Sequence, residues 1–330
     1  MKLIYNKIFL EHETGTHPEN KARLLAFQGI EETPLSEIPN GEQFLRLVHG
    51  RRHIRRVQEA SVNEIPFDLD TLASIGSYEA AYYAVGATLK AAQQGDFALV
   101  RPPGHHATAD KAMGFCLFNN MAVVAAYLKK QGKRVAILDI DGHFGNGTYD
   151  IFEKNKDVFY FSCHEFPNFP GSGDTEDIGK GKAKGTKISM PLPYDSGDDI
   201  FLDSIKTALP FIKEFNPDII GISAGFDGHH ADPLLSLRYS AIGYHEVGKL
   251  LKEEFTSQGI PVFATLEGGY NVEYLPRCAN NFVAGINGQT ASYQEASTIS
   301  ATNIKEMYEA RKQEVLKRLK SWEFLEIIIN

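Results

Sequence analysis

Short, uninterrupted apolar runs alternate with helix-like segments along most of this chain, and that alternation constrains the fold more than any other feature. Val135-Ala136-Ile137-Leu138 is typical, with no polar residue interrupting the run. A strand with one face in water alternates polar and apolar residues, whereas a strand buried on both faces of a parallel sheet reads as a continuous apolar run. Such strands are read at 2–5, 97–100, 134–140, 158–162, 187–190, 219–223 and 262–266. Residues 117–130, 146–154, 198–215 and 239–256 carry helical patterns, and an Ala-rich helix runs from a Ser77 cap to Gln94. The expected architecture is a single-domain, three-layer α/β/α fold around a mainly parallel sheet, spanning 1–330.

Three further segments complete this reading. His17-Pro18-Glu19 is expected to open a helix that carries Arg23, with Pro18 in its first turn. Residues 42–60 read as one helix whose Arg51, Arg52, Arg55 and Arg56 form a solvated face. Within the last segment, 302–330, residues 303–326 form an expected terminal helix docked through Met307, Val315, Leu316, Leu319, Trp322 and Leu325.

Composition limits the function. At 330 residues and 43% hydrophobic content the chain buries a large core without covalent staples. Cys116, Cys163 and Cys278 are scattered and form no Cys-x-x-Cys pair, which argues against disulfides and thiolate zinc and for a reducing, cytoplasmic setting. A formal net charge of −8 offers no global attraction to nucleic acid or anionic membrane. No secretory h-region and no membrane-spanning apolar stretch is apparent, so the protein reads as soluble and unexported. An oligomer is compatible with all of this.

In open α/β sheets ligands bind beyond the carboxyl ends of the strands. Here those ends hold the conspicuous polar residues: Gly104-His105-His106 after the second strand, Asp139-Ile140-Asp141-Gly142-His143 after the third, Asp227-Gly228-His229-His230 after 219–223, and Glu267-Gly268-Gly269-Tyr270 after 262–266. In extended backbone, Asp139, Asp141 and His143 project to one side. Asp141, His143 and Asp227 offer two carboxylates and one imidazole, a donor set for catalytic zinc that leaves a position open. His105 and His106 are the available bases, with Asp139 and Asn146 to orient their rings. Tyr270, on a Gly-Gly turn, is placed to donate to an oxyanion. Together these parts suit metal-assisted addition of water to a carbonyl.

The residues also match a family pattern. Arg101-Pro102-Pro103-Gly104-His105-His106-Ala107, Gly114-Phe115-Cys116-Leu117-Phe118-Asn119-Asn120, the stretch from Asp139 to Gly147, Phe169-Pro170-Gly171-Ser172-Gly173, Ser223-Ala224-Gly225-Phe226-Asp227 and Leu266-Glu267-Gly268-Gly269-Tyr270-Asn271 follow one another in family order. On them the chain resembles the zinc-dependent histone deacetylases and acetylpolyamine amidohydrolases, in particular class II-like bacterial members, with the arginase-deacetylase fold. The resemblance implies Zn2+ on Asp141, His143 and Asp227, and His105 and His106 as tandem base and acid. It makes Tyr270 the phenol that polarises the scissile carbonyl, with Asp139 and Asn146 behind the histidines. It implies K+ held by Asp139, Asp141, Ser162 and the carbonyl of His143. Gly114, Phe115 and Phe169 become walls of a substrate tunnel, Asp70 a rim residue that holds substrate backbone, and Arg23 an arginine beneath the site.

Two departures stand out. The family usually has a second histidine where this chain has Phe144, and a larger residue where it has Gly142. His229 and His230 are unusual and are expected to be surface loop histidines. The implied substrate is an acylated lysine of a protein or peptide. Leu234 replaces the glutamate of a polyamine-selective relative, though acetylpolyamine or another small acylated amine stays open as an alternative. A catalytically weak module that binds acetylated amines, supported by Phe144 alone, is a second alternative. A two-manganese ureohydrolase is a third, and it needs more bridging ligands.

Overall fold

A computed structural model describes residues 1–320. The seven strands found among them are β1 (Leu3–Ile4), β2 (Phe97–Ala98), β3 (Val135–Asp139), β4 (Val158–Glu165), β5 (Lys187–Leu192), β6 (Ile219–Ala224) and β7 (Val262–Leu266). They form one sheet in the order β1-β2-β7-β6-β3-β4-β5, and every pairing is parallel. β3 to β7 are buried along their whole length, in keeping with their mainly apolar runs; the polar residues they carry, such as Lys187 and Ser162, are buried as well.

The helices are α1 (Ala22–Leu25), α2 (Arg51–Asn63), α3 (Ser77–Gln94), α4 (Asn120–Lys130), α5 (Asn146–Phe152), α6 (Asp198–Phe215), α7 (Ala241–Glu254), α8 (Tyr274–Asn287) and α9 (Thr302–Lys320). Apolar side chains from Ile4 to Leu319 join in one core cluster. No helix among the described residues is long and apolar enough to cross a membrane.

The strand order determines where the site lies. The chain crosses from β2 to β3 and later returns to insert β6 and β7 between them, so β2, β7, β6 and β3 become neighbours. These are the four strands whose ends carry the polar clusters. Across the sheet Asp139 stands level with Ser223 and Ser162, and Ser223 with Thr265.

Several local expectations need correction. His17-Pro18-Glu19 does not open a helix; α1 begins at Ala22 because Glu19 bonds the Arg101 and Arg23 guanidiniums and Thr14 Oγ1 donates to the Glu19 carbonyl. Residues 42–60 split into a 3-10 turn, Gly41–Leu47, and α2, because the 108–119 loop claims the break: the Gly50 amide donates to Ala109 O and the Asn119 amide to His49 Nε2. Ser77 does not cap α3; Gly76 holds that position and Ser77 Oγ accepts the Ser74 amide. The helix α8 was not expected, since Pro276 and the polar pair Asn280-Asn281 interrupt its apolar pattern. Of the expected terminal helix, Trp322 and Leu325 lie outside the described residues.

Candidate active site and metal centre

Each limb of the site sits on a strand end fixed by backbone donors. Asp141 Oδ2 accepts the Gly268 amide at 2.8 Å, and Asp227 Oδ1 accepts the Gly142 amide at 2.7 Å. Asp141 Oδ1 and Asp227 Oδ2 then face His143 Nδ1 at 3.4 and 2.7 Å. The three buried residues thereby bring their donor atoms within 4.8 Å of one another. Two carboxylate oxygens and one imidazole nitrogen, with no thiolate near, fit zinc held at three points with room for a further ligand. Cys116, Cys163 and Cys278 are all free and buried.

The tandem histidines lie 3.9 Å apart between ring centres, their planes tilted by 47°. His105 Nδ1 lies 3.1 Å from Asp139 Oδ2, which also accepts the Tyr160 hydroxyl. His106 Nδ1 donates to Asn146 Oδ1 at 2.8 Å, which leaves lone-pair character on Nε2. The pair is split electrostatically. Burial opposes a charge on His105, but Asp141 and Asp139 outweigh it and push its pKa up to about 10. Burial, reinforced by His105 and His143, holds His106 well below the usual imidazole range. Driven apart in this way, His105 holds its proton while His106 stays neutral and able to accept one.

Tyr270 completes the constellation. Burial raises its phenol well above the usual range, against the opposing Arg23, so at neutral pH it is a hydrogen-bond donor. The Arg23 guanidinium lies 5.0 Å from its ring centre, and Nε donates to Gly269 O and Nη2 to Glu267 O. Arg23 is thus both beneath the site and ion-paired, with Glu19 as the partner.

Two buried carboxylates to which the sequence reading gave no role join the limbs. Glu267 Oε2 accepts the amides of Gly104 and His105 at 2.6 and 3.0 Å, which ties the histidine loop to the end of β7. Asp232 Oδ2 accepts the amides of Tyr270 and Asn271 at 2.7 and 3.2 Å, which ties the tyrosine loop to the loop after β6. Burial raises the pKa of each to about 7. The available signals were an acid ending an apolar strand before Gly-Gly, and an Asp before Pro233.

The residues expected to wall a tunnel flank this centre. Met113 and Cys116 exchange backbone hydrogen bonds around Gly114 and Phe115, both at positive φ (56° and 68°), the pattern of a type I′ turn. A Cβ on Gly114 would lie 2.5 Å from His106 Cδ2. The Phe115 ring meets Tyr270 edge-on at 5.6 Å, and Phe169, 44% exposed, meets His106 at 5.0 Å. Asp70 is exposed in a loop whose next residue, Thr71, accepts the Phe115 amide through Oγ1. Leu234 is half-buried and its amide bonds Asp232. Ser162 is buried and bonded to His164 Nδ1.

The two departures are accommodated locally. Leu235 Cδ1 occupies the space that a Cβ on Gly142 would need. Phe144 is buried against Tyr149, Tyr160 and His164. The histidines after Asp227 differ from expectation: His230 is exposed, but His229 is 1% exposed and stacks on Tyr274 at 4.4 Å. Both Nε2 atoms face Glu295, at 3.1 and 2.8 Å. This trio has metal-like spacing. However, His229 Nδ1 accepts the Ala231 amide, so the neutral ring carries its proton on Nε2, the atom a metal would need. The trio is a hydrogen-bonded strap from the 228–232 loop to Glu295.

A parallel sheet delivering two carboxylates, three imidazoles and a phenol to one edge defines the class: an α/β protein equipped for amide hydrolysis. A histone deacetylase domain model matches residues 17–286, and the chain belongs to that deacetylase family. A probable deacetylase of Archaeoglobus fulgidus is 36% identical over 309 residues, covering 87% of this chain and 86% of that protein. Among solved structures, the HDA15 HD domain superposes with a TM-score of 0.86 at 29% identity, covering 97% of this chain and 98% of that one. The acetylpolyamine aminohydrolase of Burkholderia pseudomallei gives 0.78 at 26%, covering 88% and 99%.

Proposed function

We propose that the protein is a zinc-dependent deacylase that removes acetyl, or another acyl group, from a lysine side-chain amide. The observation that carries this reading is the convergence of Asp141, His143 and Asp227 beside the split histidine pair and the Tyr270 phenol. Zinc bound there supplies the Lewis acidity that makes water a nucleophile at neutral pH. His106 Nε2 accepts the proton of the attacking water, held in that tautomer by Asn146. Tyr270 donates its O–H to the developing oxyanion. The charged histidine, with Asp139 bracing its neighbour His105, returns a proton to the leaving amine nitrogen. Phe115 and Phe169 exclude water along the acyl-lysine stem, and Asp70 accepts from substrate backbone at the rim.

Potassium fits beside the zinc set, on Asp139, Asp141, the His143 carbonyl and Ser162. His164 Nε2 donates to Gly173 O, so Ser162 gives its own proton to His164 Nδ1 and keeps its lone pairs free for a cation. Likeness to the Burkholderia enzyme keeps an acetylpolyamine as the rival substrate, and Leu234, apolar where that specificity uses an acid, favours lysine. The test is hydrolysis of matched acetyl-lysine peptides, longer acyl-lysines and acetylpolyamines, with chelator and with zinc returned. Zinc-restored turnover led by the lysine peptides is expected. Turnover of polyamines alone would replace the substrate, and chelator-resistant turnover would remove the metal.

A further inference from the structure

Lys187, the first residue of β5, has no exposed surface and, among the described residues, no carboxylate within ion-pairing distance; Asp157 is the acid near enough to favour its charge. Its Nζ donates to Val158 O at 2.6 Å, Thr186 Oγ1 at 2.8 Å, Asn155 O at 3.0 Å and Thr186 O at 3.4 Å. Thr186 Oγ1 gives its proton to Ala183 O, so it too presents lone pairs to the ammonium. Gly179 closes over the stem: a Cβ there would lie 3.0 Å from Lys187 Cγ.

A buried charge without a counter-ion is expensive, and isolated ammonium groups are almost never left so. Burial accordingly pushes the Lys187 pKa down to about 7, against the opposing pull of the Asp157 charge. Four oxygens directed at one nitrogen oppose that push, because only the charged form has three protons to give them. Rings of backbone carbonyls replacing a hydration shell are also how proteins hold potassium, and ammonium and potassium are nearly the same size.

We propose that the Lys187 ammonium is a tethered structural cation, filling an oxygen cage of Asn155 O, Val158 O, Thr186 O and Thr186 Oγ1 that without the side chain would take a monovalent cation of potassium or ammonium size. The cage ties the chain entering β4 to the chain entering β5, where Tyr160 pairs with Lys187. It lies at the amino ends of these strands, opposite the catalytic edge, so it stands whether or not the catalytic reading does. A permanently attached ion holds this register at any salt composition.

Lys187→Ala opens the cage. Its melting temperature is measured against wild type in potassium, ammonium, sodium, lithium and tetramethylammonium chlorides at one ionic strength, wild type accounting for any cation bound elsewhere. The variant should melt lower in tetramethylammonium and recover with potassium or ammonium, saturably and by on the order of 5 °C more than wild type gains. Sodium should restore less and lithium least. If Lys187→Ala does not fold in tetramethylammonium, refolding yield in each salt is read for it and for Lys187→Ser. Potassium-dependent recovery in either supports the cage; an equal deficit in every salt, or no recovery in both variants, overturns it.

Discussion

At the scale of single residues, the site depends on groups that touch no substrate. Asp232 holds the Tyr270 amide with a carboxylate oxygen while its other oxygen holds Leu234. Asp232→Asn keeps one accepting oxygen where two are used, and Asp232→Ala keeps none. Turnover should fall on the order of tenfold in the first and further in the second, the scale of one or two charged hydrogen bonds, with zinc content and KM nearly unchanged. Steady-state kinetics with metal analysis would show this, and unchanged kcat in both would separate Asp232 from the tyrosine. Gly114→Ala should be costly for a different reason: the methyl meets His106 and the backbone stays left-handed. A loss of about 1–3 kcal/mol in stability is expected, with lower kcat, read by denaturant melts and kinetics on the same sample.

Among elements, the break between the 3-10 turn at Gly41–Leu47 and α2 shows how loops override a helical pattern. His49 at that break is buried, accepts the Asn119 amide on Nε2 and bonds Ala109 O through Nδ1. Burial, aided by His53, lowers its pKa to about 3. The unfolded chain titrates this imidazole near 6.5, so between the two values the unfolded state binds the extra proton. Stability therefore falls as pH drops from about 6.5 towards 3, by up to roughly 1.4 kcal/mol per pH unit from this residue. Urea melts across that range should show a shallower slope in His49→Gln than in wild type; equal slopes would place the titration elsewhere. Elements were legible in the sequence where one physical signal dominated. Continuous apolar runs marked the buried strands, and 198–215 and 262–266 agree with α6 and β7 to the residue. They were illegible where distant partners decide: Glu19 undoes a helix start, and α8 forms despite Pro276 because α7 packs against it.

For the whole molecule, the order β2-β7-β6-β3 makes neighbours of strands far apart in the chain, and this brings the polar strand ends to one edge. The ends themselves could be read from sequence, which is why Asp141, His143, Asp227, His105, His106 and Tyr270 were identifiable together. The bracing roles of Asp232 and Glu267 were not, because each acts on backbone amides of another loop, a relation without local pattern. His229 was misjudged for the same reason, its burial depending on Tyr274 of the unforeseen α8 and on Glu295. The central claim is that this edge hydrolyses an acyl amide with Tyr270 stabilising the oxyanion. It is tested most directly by turnover of an acetyl-lysine peptide by Tyr270→Phe and by wild type at equal measured zinc content. A drop in kcat on the order of 10²–10³ is predicted, the cost of one oxyanion donor; equal turnover would contradict the account.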